Sequence, residues 1–181
     1  MPTNRPNRPA NRPTPQLRLT PWAADDLPLL REVNTPEMRA HLGGPESEAA
    51  VAARHVRYLD RTDPAAGCMF RIAVLPGDEP AGVIGYWETE WRGEAVYETG
   101  WGVLPRFQGR GIAVAAAAQA VEWARDQRRH ARIHAFPATG NPGSNAICRR
   151  LGFTLAGECE IEYPPATGNI MRCNDWSLPL T

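Results

Sequence analysis

The chain has 181 residues, 43% of them apolar, and its 20 basic and 20 acidic side chains cancel to zero formal charge. That length suits one ordinary domain with a sizeable core. Neutrality disfavours a nucleic-acid binder that works through bulk positive charge, and no apolar run approaches the roughly 20 residues of a membrane-spanning helix.

Residues 1–16, "MPTNRPNRPANRPTPQ", hold three Asn-Arg-Pro units and no acidic residue. Such a segment cannot bury a core and reads as a disordered arm ahead of a domain over 17–181. Leu17 and Leu19 alternate with polar residues, as in a short strand. "ADDLPLLREVN" follows, with Asp25 and Asp26 suited to a first helical turn. In "GGPESEAAVAARHVRYLD", Pro45 fits a first helical position and Glu46 and Glu48 the positive first turn. Val51, His55, Val56 and Leu59 then supply an apolar face.

The period changes in the middle of the chain. "MFRIAVL", "AGVIGYWETEW" and "EAVYETGWGVL" read as antiparallel strands, the last two joined by a short Arg-Gly link. Residues 111 to about 129 are alanine-rich and predict a helix. "RIHAF" is the next strand. "NPGSNAICRRLGF" is a short helix with Asn141 as cap, Pro142 in the first turn and Gly152 at the stop. "ECEIEY" and "IMRCNDWSL" close the chain around "PPATG". The result is a mixed α+β fold. It has a largely antiparallel sheet of six or seven strands and about four helices. One parallel strand pair is expected, because a crossover helix joins "YETGWGVL" to "RIHAF".

Between that strand and that helix stands "VLPRFQGRGIAVAAAA". A helix start presents unpartnered backbone N–H groups at the positive end of its dipole, where an anion is stabilised. Gly109 and Gly111 allow close main-chain approach, and Arg110 adds charge. The turn therefore reads either as a phosphate cradle or as glycine geometry alone. A dinucleotide fingerprint fails at Val114, and a Walker loop lacks its lysine, since every basic residue here is arginine. Schiff-base lysine chemistry is excluded for the same reason. Cys68, Cys148, Cys159 and Cys173 form no C-x-x-C pair, so no metal site is expected. With no leader read ahead of the first strand, free thiols in a reducing cytoplasm are expected.

Gln108-Gly109-Arg110-Gly111-Ile112-Ala113 reads Q-x-x-G-x-A after Val103-Leu104-Pro105. This resembles the acetyl-coenzyme A (acetyl-CoA) signature of the GNAT N-acetyltransferases. "ETGWGVLP" resembles the family's fourth strand. "NPGSNAICRRLGF" resembles its later N-x-x-S segment, in the form found in the branch of ribosomal-protein N-terminal acetyltransferases. That branch usually has tryptophan where this chain has Gln108. The resemblance spans everything but the arm. It implies the GNAT fold and transfer of an acetyl group from acetyl-CoA to a primary amine, either of a small molecule or of a peptide N-terminus. A non-catalytic acyl-CoA-binding module on the same fold is the alternative. No nucleic-acid or membrane partner is implied; homodimers are common in the family.

The resemblance also implies roles. Main-chain groups of Trp101, Gly102 and Val103 would bind the pantetheine arm and acetyl carbonyl. Amides of Gln108, Gly109, Arg110, Gly111, Ile112 and Ala113 would bind pyrophosphate. Asn141 and Ser144 would contact the cofactor arm. Glu98 matches the strand glutamate that serves many members as general base, and alternation sets it on the face of Gly100 and Gly102. Ser144 matches a serine given the acid's role in the ribosomal-protein branch. Cys148 stands where many members place a tyrosine acid. Glu88, Glu90 and Glu94 could add an anionic mouth for a cationic amine, or be ordinary solvated strand charges. Tyr86, Trp87, Trp91 and Trp101 concentrate aromatic surface nearby.

Overall fold

A computed structural model describes residues 15–164 and 168–181. Positions 1–14, which make up most of the expected arm, and 165–167 in the "PPATG" turn lie outside the described residues. The strands are β1 Leu17–Pro21, β2 Gly67–Val74, β3 Glu79–Trp91, β4 Glu94–Val103, β5 Arg132–Ala135, β6 Thr154–Glu162 and β7 Ile170–Pro179. The helices are α1 Leu27–Glu32, α2 Glu48–Leu59, α3 Ile112–Asp126 and α4 Pro142–Arg150. Short 3-10 turns precede α1 at Ala24–Asp26 and follow β4 at Pro105–Phe107.

The seven strands form one sheet in the order β1-β2-β3-β4-β5-β7-β6. Every adjacent pair is antiparallel except β4 and β5. The Arg-Gly link of the β3–β4 hairpin has both residues at positive φ, 53° at Arg92 and 81° at Gly93, matching the right-handed strand twist. The core lies between sheet and helices. Ala116, Ala117, Ala120 and Ala124 of α3 are fully buried, so the helix backbone lies close over β3 and β4. On the larger side chains Leu30, Ile72 and Ile84, also fully buried, truncation to alanine would cost about 2–5 kcal/mol each.

Two details of α2 differ from the sequence reading. The helix starts at Glu48, not at Pro45, because the Ser47 hydroxyl accepts from the Ala50 N–H at 3.2 Å and takes the cap. Glu46 is thereby freed from the first turn. Val56, read as part of the buried face, is exposed, whereas Val51 and His55 are buried and Leu59 is partly buried. In α4 the cap falls where expected: Asn141 Oδ1 accepts from the Ser144 N–H at 3.0 Å, with Pro142 first in the helix.

The parallel pair is very short. Only Tyr97 and Glu98 of β4 match Ile133 and His134 of β5. Past Ala135 the chain follows β7 instead: the Asn174 N–H donates to Pro137 O at 2.9 Å, and the Thr139 N–H to Arg172 O at 3.0 Å. β4 continues to Val103, paired over Thr99 to Val103 only with β3 among the described residues. A wedge therefore opens along that edge of β4, and alternate N–H and C=O groups of residues 99–103 point into it.

Candidate active site

The wedge ends at the glycine-arginine turn. Gly109 and Gly111 hold φ of 70° and 80°, a region costly for residues with a Cβ. In the direction a Cβ would take, among the described residues, Gly109 meets nothing within 4 Å and Gly111 meets only Pro15 Cδ at 3.9 Å. Neither glycine puts a side chain between the main chain and a close ligand. The first helical bond closes from the Ala115 N–H to Gly111 O at 3.0 Å, so the amides of Ile112, Ala113 and Val114 precede the intrahelical ladder. The Gln108 side chain turns back and donates to Val103 O at 2.8 Å, tying the turn to the end of β4. Arg110 lies over the Phe107 ring, 5.6 Å from its centre. A main-chain cradle at a helix start beside an open strand edge suits a phosphate-bearing chain such as acetyl-CoA.

Glu98 stands at the start of the wedge. In the antiparallel register it faces Trp87, whose indole Nε1 donates to Glu98 Oε2 at 3.2 Å. The Trp87 ring covers Gly100, where a Cβ would come within 3.1 Å of it. Burial pushes the Glu98 carboxyl up from 4.5 to about 7; the Trp87 hydrogen bond and the nearby Arg61 guanidinium oppose that rise. A carboxyl titrating there is about half ionised at neutral pH and still basic, which suits proton abstraction.

The anionic mouth does not assemble. Glu88 and Glu90 neighbour Trp87 and Trp91 in sequence, so alternation turns them to the opposite face from Glu98. Glu88 is held there by Arg129 and His130. Glu94 lies on the Glu98 face but at the far end of β4, in the wall of a second cavity. Of the four aromatics, Trp87 lies on that face beside Glu98 and Trp91 beside Asp175, while Tyr86 is core and Trp101 packs against the core.

Across the wedge, Ser144 is half-buried in the first turn of α4, fixed by Asn141. Cys148, one helical turn on, is fully buried, and burial pushes its thiol up to about 12. It packs in the core, protonated but fully buried, away from the open edge of β4. Sequence reading passed over Asn145, which is buried with its amide fully used. Its Nδ2 donates to Ala138 O at 3.0 Å and Asn141 O at 2.7 Å; its Oδ1 accepts from Asn174 at 2.7 Å and Trp176 Nε1 at 2.8 Å. This one side chain binds α4, the segment after β5 and β7 together, and so holds the wedge open. An asparagine just inside a cap was its only signal in the sequence.

A second cavity of about 300 Å³ lies on the same face, lined by Trp91, Arg92, Glu94, Arg132, Thr154 and their neighbours. Within it Ser177 Oγ stands 3.4 Å from His134 Nε2, and His134 Nδ1 stands 2.7 Å from Asp175 Oδ1. That order of contacts is a nucleophilic triad's, but β7 is paired on both sides and its amides belong to the ladder. None is left to stabilise an oxyanion at Ser177. The Trp91 indole donates to Asp175 at 2.9 Å and Arg132 to Ser177 at 3.2 Å, so the cluster cross-links strands.

A family profile described as an acetyltransferase (GNAT) domain matches residues 16–154. Solved structures share the fold. An acetyltransferase from Agrobacterium tumefaciens is 22% identical with a TM-score of 0.72, covering 97% of this chain and 99% of its own. Spermidine N-acetyltransferase from Vibrio cholerae, solved with CoA and spermine, is 17% identical with a TM-score of 0.72, covering 91% and 96%. An acetyltransferase from Salmonella typhimurium that modifies the N-terminal serine of ribosomal protein L7/L12 is 22% identical with a TM-score of 0.69, covering 90% and 94%. No curated protein matches the chain. The chain belongs to the GNAT acetyltransferase family: it is an N-acetyltransferase with acetyl-CoA as its acetyl donor. Among the described residues, no helix is long and apolar enough to cross a membrane.

Proposed function

We propose that this GNAT enzyme acetylates a primary amine, on a small molecule or a peptide N-terminus, with Glu98 as the group that takes the amine proton. The observation that carries the assignment is a half-buried carboxyl with a pKa of about 7 at the mouth of the β4 wedge. The amides of Gly109, Arg110, Gly111, Ile112 and Ala113 hold the pyrophosphate, whereas the Gln108 N–H already donates to Pro105 O at 3.1 Å and fixes the turn. Main-chain groups of Trp101, Gly102 and Val103 orient the pantetheine arm and polarise the acetyl carbonyl. Asn141 and Ser144 border the arm from α4. When bound, acetyl-CoA supplies a thioester whose carbonyl carbon the amine attacks.

An alkylamine is mostly protonated at neutral pH and must lose a proton before it is a nucleophile. Glu98 accepts that proton, directly or through one water. Trp87 fixes the carboxylate by its indole N–H and, by covering Gly100, excludes water from that side. The fixed N–H groups near Val103 meet the charge that develops on the carbonyl oxygen. Ser144 relays a proton to the leaving sulfur, its hydroxyl taking one back from water as it gives its own.

The test is the pH–rate profile of wild type against Glu98→Gln. The variant should lose about 10²-fold or more in kcat, keep its acetyl-CoA affinity, and recover part of the loss at high pH, where more amine is already neutral. An unchanged rate and profile would remove Glu98 from the mechanism.

A further inference from the structure

The Glu98 side of the sheet carries more buried positive charge than the protein itself neutralises. Residues 34–46 form a loop clasped at its neck, with Asn34 Nδ2 donating to Glu46 O and the Glu46 N–H to Asn34 Oδ1, both at 2.9 Å. From this loop Arg39 turns inward, its side chain only 3% exposed. Its Nη1 donates to the Tyr163 hydroxyl at 3.3 Å. Arg54 of α2, 7% exposed, comes to 2.7 Å from Glu46 Oε2, and Arg39 Nη2 stands 3.7 Å from Glu46 Oε1. Arg61, just past α2, lies 4.7 Å over the ring of Trp87, the residue that holds Glu98.

These contacts leave donors over. Arg39 Nη2, Arg54 Nε and Arg61 Nη1 are buried and make no aligned hydrogen bond among the described residues, while Arg54 Nη2 is taken up by Glu46 Oε2 in the 2.7 Å ion pair. A guanidinium cannot shed its proton to escape burial. Glu46 and Glu98 together cannot balance Arg39, Arg54 and Arg61. Unbalanced buried charge is costly, and a protein keeps it where a ligand completes the balance. The loop that carries Arg39 reaches the end of β4 and the glycine-arginine turn. Met38, next to Arg39, lies 3.7 Å from where a Gly102 Cβ would stand and reaches the Gln108 side chain.

We propose that Arg39, Arg54 and Arg61 form a receptor for an anionic group, a carboxylate or phosphate, carried by the amine acceptor. The inference rests on reading the Glu98 face as the acceptor side. Planar forked donors match both anions in two-point contacts. A polyamine brings the wrong sign to this surface, so the acceptor class differs from that of the Vibrio cholerae spermidine N-acetyltransferase.

Matched acceptors given to the wild-type enzyme with acetyl-CoA test it: an amino acid and a dipeptide against their C-terminal amides, an aminoalkyl phosphate against its alcohol, and spermidine. The anionic member of each pair should lead by about tenfold or more in kcat/KM, chiefly through KM. The better of the carboxylate and phosphate pairs names the source of the charge. Arg61→Gln should bring the ratio toward one while keeping the melting shift given by acetyl-CoA, which shows that the variant folds. Because Arg54→Gln removes a more deeply buried partner, a wild-type binding measurement stands beside it: succinate or inorganic phosphate should raise the melting temperature in the presence of CoA, and succinamide should not. Amides or spermidine serving as well as the anionic acceptors would overturn the proposal, as would an unchanged ratio in folded Arg61→Gln. If no amine were acetylated at all, the Glu98 reading would fail. The anion-binding measurement would still decide this proposal, binding supporting it and no binding overturning it.

Discussion

Glu98 sits between opposing influences, and each can be moved separately. Burial raises its pKa, while the Trp87 hydrogen bond and Arg61 lower it. Trp87→Phe removes the indole donor but keeps an aromatic cover. The pH at which kcat is half-maximal should then move up from about 7, with the plateau rate little changed; a fixed midpoint would show that the indole does not tune the base. The same shift bears on stability. The folded carboxyl releases its proton at about 7, against 4.5 in the unfolded chain. Between those values the native state binds more protons, so Glu98 lowers stability as pH rises through that window, and the loss is complete above 7. Glu98→Gln should therefore melt above wild type at about pH 8 and lose that advantage below about pH 4.5. An equal difference at both pH values would place the effect in packing rather than ionisation.

At the scale of elements, the turn between β4 and α3 and the cap of α4 do most to shape the site. Gly109→Val adds a branched side chain at φ of 70°, where a Cβ meets no described residue within 4 Å. It should cost about 1–3 kcal/mol of stability from backbone strain and abolish the melting shift produced by acetyl-CoA. A retained shift would mean that the amides of this turn do not hold the ligand. Asn145→Ala removes four hydrogen bonds from a buried amide. Destabilisation of about 2–4 kcal/mol is expected from the partners left unpaired, together with weaker acetyl-CoA binding. Thermal melts and calorimetric titration check both effects. Both elements were legible in the sequence because their signals are local: glycines needing positive φ, a proline in the first turn and an asparagine cap. The start of α2 was less so, because Pro45 and Ser47 offer rival signals two residues apart and only the Ser47–Ala50 contact decides between them. For Glu88 and Glu90 nearness along the chain leaves two readings open, and the face that strand alternation gives them favours ordinary strand charges.

At the scale of the whole molecule, the succession of strands and helices along the chain, the single parallel pair and the crossover helix followed from periodicity and connection length, whereas the order of strands in the sheet needed the structure. The arginine receptor did not, since Arg39, Arg54, Arg61 and Tyr163 come from separate segments that only the fold brings together. Gln16 already belongs to the fold, its carbonyl accepting from the Leu75 N–H at 3.0 Å. Removing residues 1–14, which lack core-forming side chains apart from Met1, should leave the melting temperature and acetyl-CoA affinity unchanged. The decisive measurement for the enzyme as a whole is product analysis. The protein is incubated with acetyl-CoA and a mixed panel of amines and peptides, free thiol is titrated, and products are weighed by mass spectrometry. Thiol release should match, mole for mole, the appearance of an amine heavier by one acetyl group, and both should fall together in Glu98→Gln. Thiol release with no acetylated amine, or tight acetyl-CoA binding with no turnover on any acceptor, would contradict amine acetylation by this site.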